Sequence, residues 1–220
     1  MQKYFFSIIA GCSFLVSAAQ VQVRDEPRHH NVFENEFVRV LDVYIAPKDT
    51  TQYHLHNTPS IFIILSNSNV GSRLKDGQPQ KGANINGDIS YDSLSKPRIH
   101  RVWNEDTSWF HVMDIELTNQ RTKLKIPPFQ NPSFKLLFNE EQLNGYELDL
   151  KTSSMLQLPA SSNGYLLISK KETVIDYKIN EVMQHRIMKA GHYIWVEAGR
   201  NSSISAGSQS PAAFVLLQLK

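Results

Sequence analysis

Three short runs constrain the fold more than anything else in this chain. Phe37–Pro47 (FVRVLDVYIAP) mixes β-branched and aromatic residues in alternation, Ser60–Ser66 (SIFIILS) is almost continuously apolar, and Ser108–Leu117 (SWFHVMDIEL) is rich in aromatic and aliphatic side chains. Runs of this length and content read as strands, the second as a strand buried on both faces. The segment 67–88 between them (NSNVGSRLKDGQPQKGANINGD) is dense in Gly, Asn and Asp, the chemistry of hairpins and loops. Helical patterning is confined to two short stretches, Asn139–Leu143 and Ile179–Gln184. The chain reads as all-β.

At 220 residues and 41% apolar content, the chain can bury one large core or two small ones. Its net charge is +2, with Lys and Arg interspersed among acids. That spacing excludes the concentrated cationic face that nucleic acid requires.

The first residues, MQKYFFSIIAGCSFLVSAAQVQ, place one Lys before an apolar run from Tyr4 to Val16, then small residues at Ser17 and Ala19. This is the pattern of a signal peptide over residues 1–19, cleaved after Ala19, and it implies a periplasmic or secreted protein of bacterial type. The run is too short for a stable membrane span. A rival reading takes Ile9–Cys12 (IAGC) as a lipobox, with a lipid anchor on Cys12. Cys12 is the only cysteine, so a mature fold without it has no disulfide and no thiol nucleophile.

Pro127, Pro128 and Pro132 break the chain after the third strand. The expected organisation is a unit over 28–120, a linker over 121–133 and a second unit over 134–220. Lys48–Leu65 aligns without a gap on Lys151–Ile168, which sets Leu55 on Leu158 and Gln157 and Pro159 opposite His54 and His56. Further on, His100 pairs with His192 and Trp103 with Trp195. The second unit thus reads as a duplicate of the first without its paired histidines. Each is the size of a small β-barrel or jelly roll.

His54 and His56 are spaced to share one face of a strand, where both imidazoles can reach a divalent ion about 2.1 Å away. The alternative is two core or loop histidines satisfied by hydrogen bonds. A turn (Ala46–Thr51) precedes the pair, a buried strand follows it, and Pro97–Asn104 (PRIHRVWN) later carries His100 with Asn104 four residues on. In this order the features resemble the cupin superfamily, whose first motif holds His-x-His and whose second holds His-x-x-x-Asn. The resemblance implies tandem jelly-roll barrels, a bicupin, with His54, His56 and His100 as metal ligands. Pro59, Ser60 and Ile61 stand where the family usually has a glutamate ligand, and Pro97 stands where a glycine is expected. A three-imidazole set is similar to that of the cupin-like cysteine dioxygenase. It implies a divalent transition metal (Fe, Mn, Zn or Ni) and dioxygenase or isomerase/lyase chemistry on a small anionic molecule.

Gln52, Arg39, Tyr53, Phe62 and His111 are the substrate-binding candidates, Gln52 because it shares the strand face of His54. Arg98, like Arg39, suits an anion beside the site. His111 reads first as a satisfied core histidine and only second as a cavity residue, and Trp103 and Trp109 read as core aromatics. His29 and His30 read as a solvated loop, and Asp114 and Glu116 as an outward face or a partner for Arg39. The family resemblance also implies a homodimer. A non-catalytic envelope module that binds a small molecule or metal is the competing function, and a degenerate cupin serving protein association is a third.

Overall fold

The computed structural model describes residues 21–119, 124–208 and 210–220. The expected signal peptide, Cys12 included, lies outside these residues.

The first half runs through β1 (Val21–Gln22), β2 (His29–Glu34), β3 (Val38–Ile45), β4 (His54–His56), β5 (Ser60–Ile64), β6 (Ser68–Leu74), β7 (Gln80–Asn84), β8 (Ile89–Asp92), β9 (Arg98–Asn104) and β10 (Phe110–Leu117). The second runs through β11 (Lys135–Asn139), β12 (Leu143–Leu150), β13 (Met155–Leu158), β14 (Tyr165–Ser169), β15 (Thr173–Ile179), β16 (Val182–Met188), β17 (Tyr193–Val196), β18 (Ser202–Ala206) and β19 (Ala212–Leu219). Among the described residues the one helical element is a 3-10 turn at Val23–Asp25. Both stretches expected to be helical are hairpin connections instead: Asn139 and Leu143 end and begin neighbouring strands, and Asn180 and Glu181 take positive φ between β15 and β16. Strand pairing on either side overrides a few residues of local helical preference.

The strands form four sheets, ordered β1-β4-β9-β6-β7, β2-β3-β10-β5-β8, β11-β12-β19-β14-β17 and β13-β18-β15-β16. Read strand for strand, the third order repeats the second and the fourth repeats the first without β1. The central strands are apolar on both faces because each is buried twice. On β10, Phe110 and Val112 pack with Leu41, Val43 and Ile45 inside the first half, while Met113, Ile115 and Leu117 point the other way. That outer face joins Ile61 and Ile63 against Leu166, Ile168, Val215 and Leu217 of the second half. Full burial of such Leu and Ile side chains contributes about 1.5–3 kcal/mol each, so the two halves share one apolar seam.

The segment after Pro128 does more than link. Phe129 stacks on Tyr146 at a centroid separation of 5.1 Å and its backbone N–H donates to the Tyr146 hydroxyl.

The repeat also corrects the sequence alignment. On β13 the inward residues are Leu156 and Leu158, both within the second core, whereas Gln157 is exposed. Leu156 pairs with Ile204 as His54 pairs with His100. The structural counterparts of His54, His56 and His100 are therefore Leu156, Leu158 and Ile204. Gln157 and Pro159 are one residue out of register, and His192 precedes β17, the counterpart of β8, not of β9. A one-residue slip moves every side chain to the other face, so an alignment drawn from low similarity is vulnerable to it.

Candidate metal centre

His54 and His56 face the same way from β4, as their spacing requires. β4 pairs antiparallel with β9, setting His54 opposite His100 and His56 opposite Arg98. Directly opposed residues share a face, so the third histidine arrives beside the first two. One nitrogen from each of His54, His56 and His100 falls in a group spanning at most 4.8 Å. The Nε2 atoms of His56 and His100 are 3.0 Å apart. His54 Nδ1 lies 2.9 Å from the Gln52 carbonyl, a contact that puts the proton on Nδ1 and leaves Nε2 with its lone pair.

Burial pushes His54 down to about 4 and His100 down to about 3, with the neighbouring histidine as a second cause in each case. His56 is pushed lower still by burial and then by His100. All three are neutral imidazoles at neutral pH, the form that ligates a metal.

The cluster lines a cavity of about 770 Å³. Val43, Ile45, Phe62, Ile64, Val70, Val102, Phe110 and Val112 form its apolar wall, and the exposed β6–β7 hairpin contributes Gln78, Gln80, Lys81 and Asn84. Arg98 lines it too, with Nη1 2.6 Å from Asp92 and Nε buried without a hydrogen-bond partner. Phe62 meets His56 edge-on at 6.1 Å.

Two residues of the cavity were not legible as such. Asp114 is fully buried rather than on an outward face, and burial, then repulsion from Glu116, pushes its carboxyl up to about 8. Its Oδ2 is 3.8 Å from His56 Nδ1, and neither atom has a hydrogen-bond partner. The signal was parity, because Asp114 alternates with Phe110 and Val112 in an apolar strand. His29 is buried and lines the cavity rather than a solvated loop, its ring 4.9 Å from that of His54. Its Nδ1 is 2.9 Å from Oε2 of Glu26. Burial alone would raise Glu26, but hydrogen bonds from His29 and from the Arg28 and Gln52 amides outweigh it and hold the carboxyl at about 2.

Other expected contacts lie elsewhere. Arg39 bonds Glu116 and Glu34 at 2.7 Å each and lines a separate cleft with Thr58 and Glu116. Glu116 is thus the partner of Arg39 that the sequence suggested, and Arg39 has no share in the histidine cavity. His111 points out of the first core, its Nε2 2.7 Å from Asp42 and its ring stacked on Tyr44 at 4.1 Å. Gly191, at φ +84, packs against it from the second half. Gln52 is exposed just before β4, so only its backbone serves the site. Tyr53 lies under Arg101 at 5.1 Å, away from the cavity lining. Trp103 covers Gly71, and Trp109 is 56% exposed rather than core. Asn104 is structural: its amide donates to the carbonyls of Ile45 and Ser108, pinning the β9–β10 turn.

No protein-family model matches the sequence, and no curated protein matches it. Solved structures do match. AerE from Microcystis aeruginosa aligns with a TM-score of 0.61 at 11% identity, over 89% of this chain and 98% of its own. A cupin 2 conserved barrel domain protein from Leptotrichia buccalis aligns with a TM-score of 0.55 at 11% identity, over 86% of each chain. Salicylate 1,2-dioxygenase from Pseudoaminobacter salicylatoxidans, in its adducts with gentisate, aligns with a TM-score of 0.60 at 10% identity, over 85% and 70%. Strand order, sheet count and these alignments agree that the chain has the jelly-roll fold of the cupin superfamily.

Proposed function

We propose that this chain is an exported two-unit cupin whose first unit holds one divalent transition metal on His54, His56 and His100 and binds and transforms a small anionic molecule. The observation that carries the reading is the convergence of three neutral imidazoles, two buried and one half-buried, from two paired strands onto one wall of a large cavity. Such nitrogens have no apolar reason to face one another. The close approach of His56 Nε2 to His100 Nε2 suits two ligands of a shared cation, and the His54–Gln52 contact is the outer support a ligating histidine needs.

A divalent metal held there supplies Lewis acidity and, if it is iron, a site for O₂ activation. The chain's own residues do the rest. Arg98 offers a guanidinium to a carboxylate or other anion at the cavity wall, two residues before His100. Phe62, Ile64, Phe110 and Val112 shelter the apolar body of the ligand from water. The buried Asp114 carboxyl, protonated at neutral pH, adds no negative charge beside the ligands. Gentisate, the small aromatic anion bound by one structural neighbour, fits this description of a substrate, and dioxygenase chemistry is the reaction class this neighbour favours.

The test is elemental analysis of the mature chain, purified without chelator or affinity histidines, beside a His54→Ala/His56→Ala variant. About one equivalent of metal, lost in the variant, supports the reading and directs the assay, O₂ consumption for iron. Protein that takes up no metal even on reconstitution overturns it and leaves a ligand-binding module.

A further inference from the structure

The metal reading leaves a gap. The sequence has no carboxylate where a fourth ligand of this fold is expected, and the carboxylate the structure brings near does not fill the gap. Asp114 stands on the Nδ1 side of His56, whereas Nε2 is the atom that faces His100. We propose that His29, supplied by the start of β2, is the fourth nitrogen ligand of this centre, with Glu26 as the residue that orients it. This rests on the three-histidine metal site proposed above.

The argument is geometric. The rings of His54, His56 and His100 are spaced 4.7–5.1 Å apart, and the ring of His29 is 4.9 Å from His54, edge to face, within the same range. His29 lines the same cavity and is buried. Its Nδ1 faces Glu26 at 2.9 Å, which leaves Nε2 as the nitrogen free to meet a metal. A carboxylate behind the non-ligating nitrogen is the arrangement ligating histidines require.

Glu26 is not a casual partner. It is buried and also accepts the backbone N–H groups of Arg28 and Gln52, and the Gln52 carbonyl in turn meets His54 Nδ1. One carboxylate therefore sets both His29 and, through one residue, His54. β1 pairs in parallel with the site strand, Val21 with His54 and Gln22 with Leu55, and His29 then opens β2, which pairs with β3 in the other sheet, so the intervening turn bridges the two sheets beside the site. The other three nitrogens form their 4.8 Å group without His29, whose Nε2 would have to swing in to complete a four-nitrogen set.

The experiment loads the full mature chain, stripped of metal, with Co(II), and records the d–d absorption and the affinity by competition with a chelator. His29→Ala, His29→Gln and Glu26→Gln are compared, each checked for fold by circular dichroism. The expected result is a changed Co(II) spectrum with affinity down roughly 10–100-fold for both His29 variants. Glu26→Gln keeps the spectrum and loses roughly 10-fold in affinity. Pulsed EPR of the Cu(II) form then counts one imidazole fewer in His29→Gln, the variant to rely on if His29→Ala misfolds. Co(II) bound by wild type, lost in His54→Ala/His56→Ala and unaltered in spectrum and affinity by His29→Gln, overturns this proposal alone. Wild type that binds no Co(II) overturns the metal reading with it.

Discussion

The two halves of this molecule are the same arrangement of strands with opposite interiors. Where the first half turns His54, His56, His100 and Asp114 inward, the second turns Leu156, Leu158, Ile204 and Leu216, which sit in one apolar core with Tyr146, Tyr165 and Phe214. The β-sandwich framework is indifferent to which set it carries, since alternation fixes only the direction of each side chain. What differs is the energy of the interior. Four aliphatic side chains close the second half, while the first keeps a cavity lined by imidazoles and a carboxyl with unmatched polar atoms. A fold retains such a site against its own stability when the site has work to do.

The largest effect comes from making the first half copy the second. His54→Leu, His56→Leu, His100→Ile and Asp114→Leu together remove three of the four proposed ligands and the buried acid, leaving His29 alone at the site. Metal uptake falls to background while the melting temperature of the metal-free protein rises by several degrees, as measured by elemental analysis and calorimetry. A destabilised variant breaks the comparison, because it means the polar set holds the first half together. The reverse probe is Leu216→Ala. Leu216 is fully buried, and opening a cavity there costs about 2–5 kcal/mol by denaturant titration, with metal affinity unchanged.

Protons sharpen the same contrast. Asp114 has its folded-state value raised to about 8, so its contribution is complete below the unfolded value near 3.8 and is lost as pH climbs towards 8. The histidines run the other way. With His54 lowered to about 4 and His100 to about 3, their contribution is present above the unfolded value of 6.5 and is lost as pH falls below it. Metal-free protein is therefore most stable near pH 6–7 and weakens on both sides. Asp114→Asn removes only the alkaline decline, stabilising by roughly 1–3 kcal/mol at pH 8 and by almost nothing at pH 4. Thermal unfolding across pH checks this, and an unchanged alkaline limb sinks it.

Much of this was legible from the sequence. The three apolar runs announced β3, β5 and β10, and the spacing of His54 and His56 set their common face, because period-2 alternation is local. What was not legible depended on partners distant in sequence. His29 and His30 look alike in a polar stretch, and only the fold that brings Glu26 under His29 tells them apart. Arg39 and Arg98 are likewise equivalent as strand arginines until the sheets show that one meets Glu34 and Glu116 and the other the cavity. His111 shares its strand with Asp114, yet its odd parity sends it to Asp42 and the seam between the halves.

The smallest effect tests the register itself. The gapless sequence alignment puts Gln157 where the structure puts nothing inward, whereas Leu156 and Leu158 are the true counterparts of the paired histidines. Gln157→His adds an imidazole to an exposed position, so it changes stability by no more than about 0.5 kcal/mol and adds no metal affinity. Leu156→His with Leu158→His buries two imidazoles in an apolar core with nothing to accept from them, and lowers the melting temperature clearly. If Gln157→His proves to be the disruptive change and the Leu156/Leu158 pair the neutral one, the strand is paired one residue away from where the structure sets it, and the equivalence of the two halves must be redrawn from β13 onward.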